Sequence, residues 1–200
     1  MNPGRRARGT LVAALVCFGA LSLAVVVLGT LPGEAPTRDW LLTLASPPVV
    51  MVFRAINYAG SWRVLLPGTV LLFVAFPQAR RRWWVWVGLM LAAPAAESLL
   101  KLVIGRPRPE EASMGFPSGH ATAAAAFFGA VVYLAGTLPP LTRRLATAGA
   151  IATIVLVALA RVILRAHWPA DTLAGIALGL GLAASAALLA GAQMSSETSR

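Results

Sequence analysis

Residues 83–120 read WWVWVGLMLAAPAAESLLKLVIGRPRPEEASMGFPSGH. From Trp83 to Ile104 the run is apolar except for Glu97, Ser98 and Lys101. A helix needs about 20 such residues to cross roughly 30 Å of hydrocarbon, so 83–104 reads as a membrane span. Outward from it, similar runs lie near 10–31, 60–77, 120–138, 145–164 and 171–192, the second interrupted by Pro67-Gly68. Residues 40–58 are apolar but broken by Ser46-Pro47-Pro48, and they carry Arg54. Such a segment is expected to lie in the interface rather than to cross. The expected fold class is therefore an all-α polytopic membrane protein. It is a six-transmembrane-helix bundle with an interfacial segment after the first span, forming a single domain over 1–200.

Composition supports the class. Hydrophobic residues are 58% and charged residues 12%, against about 25% charged in soluble domains. The net charge of +10 does not point to nucleic acid, because the arginines are split among short loops and form no basic stripe. The first run exceeds a signal-peptide core and no small-x-small cleavage site follows it, so it reads as a retained span. Cys17, the only cysteine, lies inside that run and has no internal disulfide partner. The polar tail 193–200 is expected to fray.

Arginine placement sets the expected orientation. Arg5, Arg6 and Arg8, then Arg80, Arg81 and Arg82, then Arg143 and Arg144 all fall on one side of a six-span thread. By the positive-inside tendency that side is cytoplasmic, with both termini. Trp83, Trp84 and Trp86 follow the triple arginine as an interfacial anchor. The loops 105–119 and 165–170 then face outside. They carry Arg106, Arg108 and Arg165 against the tendency, which points to a ligand.

The chemistry-bearing residues gather on that outer face. The chain has one lysine and two histidines, and all three belong to one spaced set. Lys101, Arg108 and Arg161 lie at or near ends of apolar helices, where cations are costly unless they snorkel, pair or serve a site. An arginine fork donates two parallel bonds to phosphate oxygens. In Pro117-Ser118-Gly119-His120, a serine and a glycine precede a helix whose free N–H groups form an anion cradle. Ser118 could cap that helix, bind phosphate, or do both.

His167 and Asp171 are four apart, and Pro169 between them favours a turn into the last span. Asp171 can accept from one imidazole nitrogen and leave the other free to attack. His120 is then the candidate general acid. Two histidines without an acidic cluster argue against a zinc or two-metal site. Adjacent Glu110 and Glu111 could bind a cation, solvate the loop or tune specificity. Glu97 lies one turn before Lys101, placed to pair with it.

The order Lys101–x6–Arg108-Pro109, Pro117-Ser118-Gly119-His120, then Arg161–x5–His167–x3–Asp171 resembles the three-part signature of the type 2 phosphatidic acid phosphatase superfamily. That superfamily includes membrane lipid phosphatases and soluble vanadium haloperoxidases. The resemblance implies that His167 attacks phosphorus to form a phosphohistidine, Asp171 orients it, and His120 protonates the leaving group. It implies that Lys101, Arg108, Ser118, Gly119 and Arg161 hold the phosphate oxygens, and that neither metal nor cofactor is used. The family often has serine where this chain has Ala160. Ala160→Ser is accordingly expected to raise turnover, and an unchanged or lower rate would overturn that expectation.

The implied partners are a phosphorylated lipid substrate and membrane lipids. Isoprenoid diphosphate, phosphatidylglycerol phosphate, phosphatidic acid and a glycolipid phosphate all fit. A phosphotransferase and a non-enzymatic anion transporter are the alternatives, and a nucleophile–acid pair speaks against the transporter. The sequence leaves the oligomeric state open.

Overall fold

A computed structural model of the chain describes residues 3–197, with side chains described over 4–191. Among these residues the structure is helical, apart from an isolated bridge between Pro107 and Met114. The helices are α1 (Pro3–Leu28), α2 (Glu34–Thr43), α3 (Pro47–Asn57), α4 (Trp62–Ala75), α5 (Pro77–Arg81), α6 (Trp83–Ile104), α7 (Gly119–Leu134), α8 (Pro140–Ile163) and α9 (Pro169–Glu197).

Five helical stretches are long and apolar enough to cross a membrane: Gly4–Leu28, Trp83–Ile104, Gly119–Thr137, Pro140–Ile163 and Pro169–Gly191. The bent pair Glu34–Thr43 and Pro47–Gly60 would make a sixth if counted as one span. Its two halves meet at 114°, so this region, expected near 40–58, turns back instead of running straight. The cause is local. Two successive prolines offer no amide hydrogen, and the residue before a proline avoids the helical region. Helix α2 therefore stops at Thr43, and α3 restarts with Pro47 in its first turn.

The span expected at 60–77 is the 14-residue helix α4. At 1.5 Å per residue it is about 21 Å long, short of a full hydrocarbon thickness. Its Leu66, Val70, Leu71 and Val74 side chains are exposed, an apolar face suited to lipid. The last helix runs on to Glu197, through most of the tail expected to fray, and residues 198–200 lie outside the described residues.

Helix α7 forms the centre. Its Ala121, Ala124, Ala125, Ala126 and Ala130 are fully buried, and α9 packs along it. Small side chains let two backbones approach, which drives helix association in a medium as apolar as the side chains themselves. A Cβ built at Gly175 would lie 2.7 Å from the Ser118 carbonyl oxygen. One at Gly179 would strike the Thr122 carbonyl oxygen and lie 2.6 Å from the Ala125 methyl group. This seam holds the start of α7 against the start of α9, and both starts carry site residues. Gly179→Ala is expected to cost about 1–3 kcal/mol through overpacking and to lower the unfolding temperature in detergent. Gly191→Ala on the same helix, where nothing lies within 4 Å, should leave it unchanged or slightly raised.

Candidate active site

Three local structures position the site. Helix α6 delivers Lys101 in its last turn and ends at Gly105, whose φ of 64° lies in the left-handed region that favours glycine. The chain then folds back on itself. The Arg108 N–H donates to the Ser113 carbonyl (3.0 Å), and the Gly115 N–H donates to the Arg106 carbonyl (2.7 Å).

Helix α8 closes with a Schellman turn. The Ala166 N–H donates to the Arg161 carbonyl (3.0 Å) and the Arg165 N–H to the Val162 carbonyl (2.9 Å). Arg165 takes the left-handed position at φ 60°, usually a glycine's place. The His167 N–H also donates to the Arg161 carbonyl (3.2 Å). One backbone oxygen thus fixes a candidate phosphate ligand relative to the candidate nucleophile.

Helix α9 begins at Pro169, which has no amide hydrogen to leave unsatisfied. The orphan donors beside it are met by carboxylates. The Trp168 N–H donates to Asp171 Oδ2 (3.0 Å), and the Ala170 N–H donates to Glu34 Oε1 (2.9 Å). Negative groups at this end also complement the helix dipole.

These turns bring six of the eight expected residues to one cavity of about 650 Å³: Lys101, Arg108, Gly119, His120, Arg161 and His167. Asp171 and Ser118 lie behind the wall, fully buried. With its proton on Nδ1, His167 donates to Asp171 Oδ2 at 3.4 Å, leaving Nε2 as the free nitrogen. Burial, opposed by the hydrogen bond to Asp171 and reinforced by the charge of Arg161, lowers the His167 pKa below its ordinary 6.5. A lowered pKa keeps the imidazole neutral at more acidic pH. The acid limb of kcat/KM is therefore expected below pH 6.5, as a pH–rate profile would show.

Ser118 makes no side-chain cap to its helix. Its Oγ is buried without a partner, while the Thr122 N–H and hydroxyl both donate to its carbonyl oxygen (2.9 Å each). The Ser118 N–H donates to the Asp171 carbonyl (2.9 Å), tying the second motif to the third. A Cβ at Gly119 would lie 2.8 Å from Glu97 Oε1, and Glu97 pairs with Lys101 as its spacing predicts. Ala160 is fully buried and is not on the cavity wall.

Two of the three loop arginines that the sequence reading assigned to a ligand serve other ends. Arg106 is buried and bonds Asp171 Oδ1 (2.6 Å) through Nη1 and Glu34 Oε2 (2.5 Å) through Nη2. Burial opposes its charge, but hydrogen bonds and charges from Glu34 and Asp171 prevail and raise its pKa. Arg165 pairs with Glu110 (3.1 Å), which Arg38 also binds. Only Arg108 reaches the cavity, and its Nη1 bonds Glu111 (2.9 Å). The two glutamates are thus engaged by arginines. Among the described residues, no three His, Cys, Asp or Glu side chains gather as a metal-binding group.

Sequence reasoning missed Glu34 and the whole contribution of α2. Glu34 is 5% exposed, and its signal was a carboxylate directly after an apolar run. Arg38 and Arg106 each lie 5.5 Å from the Trp168 ring centroid, so α2 also steadies the turn bearing His167. It missed Asn57 as well, whose Oδ1 accepts from Arg161 (3.0 Å).

The PAP2 superfamily sequence profile matches residues 82–194, which include the eight expected site residues but not Glu34, Arg38 or Asn57. The chain belongs to the PAP2 superfamily. It is 28% identical over 147 residues to decaprenylphosphoryl-5-phosphoribose phosphatase of Mycobacterium tuberculosis, covering 66% of this chain and 76% of that protein. It is 35% identical over 145 residues to phosphatidylglycerophosphatase B of Bacillus subtilis, covering 64% and 69%. It is 31% identical over 191 residues to lipid A 1-phosphatase of Rhizobium johnstonii, covering 80% and 74%. The crystal structure of a transmembrane PAP2-type phosphatidylglycerolphosphate phosphatase from Bacillus subtilis superposes with a TM-score of 0.75 at 25% identity, over 94% of this chain and 96% of that one. This PAP2 protein is a multi-pass membrane phosphatase.

Proposed function

We propose that this protein is a metal-independent lipid phosphate or diphosphate phosphatase working through a phosphohistidine on His167. The observation that carries this reading is the make-up of the cavity. Cations and two histidines line it together with Leu65, Leu66, Met90, Leu91 and Pro94 from α4 and α6. A substrate with a phosphate head and a hydrocarbon tail matches both kinds of lining. The relatives' names, which are those of lipid phosphatases, support the same class.

His167 Nε2 attacks phosphorus as the bond to the leaving oxygen breaks, and His120 gives that oxygen a proton. Water then attacks the phosphohistidine, with His120 taking the water's proton. Lys101, Arg108 and Arg161 neutralise charge on the non-bridging oxygens, together with the free N–H groups at the start of α7. Three cations supply the electrostatic role that a metal plays elsewhere. Ser118 contributes its buried hydroxyl. Isoprenoid diphosphate, phosphatidylglycerol phosphate and phosphatidic acid are the favoured substrates. The site faces outside the cytoplasmic membrane, because the arginine clusters at 80–82 and 143–144 lie at the opposite ends of these helices.

The test is to quench turnover of radiolabelled lipid phosphate with chelator present and look for an acid-labile, base-stable phosphoprotein. Label on wild type but absent from His167→Ala supports the reading. Turnover that stops with chelator, or label that survives the substitution, overturns it.

A further inference from the structure

The cavity wall holds a fourth cation that the reaction above does not use. Arg63 lines the same space as Lys101, Arg108 and Arg161. Those three have carboxylate or amide partners in Glu97, Glu111 and Asn57. Among the described residues Arg63 has no acidic partner; its guanidinium carbon lies 5.8 Å from the Trp62 ring centroid. An arginine serving only as a lipid anchor would point to the outer face of the bundle, whereas this one helps to form the cavity.

Its position is fixed to the reaction centre. The corner from Asn57 to Arg63 is clamped at two points. Asn57 holds Arg161. Gly60 sits so close to α7 that an added Cβ would lie 2.7 Å from the His120 carbonyl oxygen. Arg63 follows three residues later, in the first turn of α4. Two residues of the cavity lining differ sharply in exposure: His167 is 1% exposed, whereas Arg63 is exposed. A phosphate attacked at His167 therefore sits at the buried side, with its leaving group toward the exposed side where Arg63 stands.

We propose that Arg63 is a second anion subsite, binding a phosphate on the leaving-group side of the scissile bond. The proposal rests on the phosphatase reading above and narrows its substrate class to lipids bearing two phosphates. With a lipid diphosphate, the bond from the terminal phosphorus to the bridging oxygen breaks and a bond from that phosphorus to His167 Nε2 forms. The departing lipid monophosphate keeps the electron pair and takes its proton from His120. Its negative charge grows beside Arg63, so the guanidinium stabilises the leaving group as well as the bound substrate. A lipid monophosphate leaves as a neutral alcohol and presents no such charge.

The test compares kcat/KM for isoprenoid diphosphate and for phosphatidylglycerol phosphate, each relative to phosphatidic acid. The full chain in detergent is used as wild type, Arg63→Gln and Arg63→Lys. One charge-assisted contact corresponds to about tenfold in these ratios. The diphosphate ratio is expected to fall about tenfold in Arg63→Gln and to be largely restored in Arg63→Lys. A fall confined to phosphatidylglycerol phosphate would equally support the subsite, with a phosphodiester as its occupant. If both ratios stay at the wild-type value, the subsite is overturned while the phosphatase reading stands. If wild type releases phosphate from none of the three lipids, both fall together.

Discussion

His167→Ala is expected to lower phosphate release from a lipid phosphate by about 10⁴-fold or more, with KM little changed. Nucleophilic catalysis divides one difficult displacement into two easier ones, and removing the nucleophile leaves only binding and charge stabilisation. The site offers no substitute. His120 is the only other histidine in the chain. Asp171, which is fully buried, has its two carboxylate oxygens engaged by Arg106 and by the Trp168 N–H and His167. The loss should not come from misfolding. The turn before His167 is held through backbone bonds to the Arg161 carbonyl, and an alanine keeps them. Steady-state rates alongside a thermal melt of the same sample decide the matter. A residual rate above about a tenth of wild type in a folded sample would exclude His167 as the nucleophile.

Arg106→Ala carries the largest expected effect on stability. Two carboxylates, Glu34 and Asp171, converge on this one guanidinium, and all three groups are at most 5% exposed. Breaking a buried pair by removing one partner costs about 3–5 kcal/mol, because the other charge stays buried and uncompensated. Activity should fall as well, since the repelled Asp171 no longer fixes the His167 tautomer. Glu34→Gln should be milder, because an amide oxygen still accepts from the Ala170 N–H. In a double-mutant cycle, the Glu34 and Arg106 losses should be non-additive by at least about 1 kcal/mol. A single Arg106→Ala loss under about 1 kcal/mol would show that water reaches the cluster and that its burial is not what holds the turn.

Much of the site could be read from the chain because its residue types are scarce. One lysine, two histidines and three motifs in order stand out against alanine and leucine. Five of the six expected spans were readable for a similar reason, since long apolar runs allow only helices in lipid. The region before residue 80 was harder. There, Pro47, Pro48 and Pro67 interrupt apolar sequence. Whether such a stretch crosses, bends or stops short depends on its neighbours. The resulting 114° bend and 14-residue α4 place Asn57, Gly60 and Arg63 around the reaction centre, and no spacing rule announces that.

The sequence by itself determined the helical membrane class, the family signature and the identity of six residues that meet at the cavity. These follow from local properties: apolar run length, helix-end signals and rare polar types. Only the tertiary structure decided what the other charges do. It sent Arg106 to Glu34 and Asp171 rather than to a ligand, paired Arg165 with Glu110, and left Arg63 facing the cavity. The physical reason is that a charge in a membrane protein is assigned by its nearest counter-charge in space. Glu34 and Arg106 are 72 residues apart in the chain, yet their charged groups lie 2.5 Å from each other.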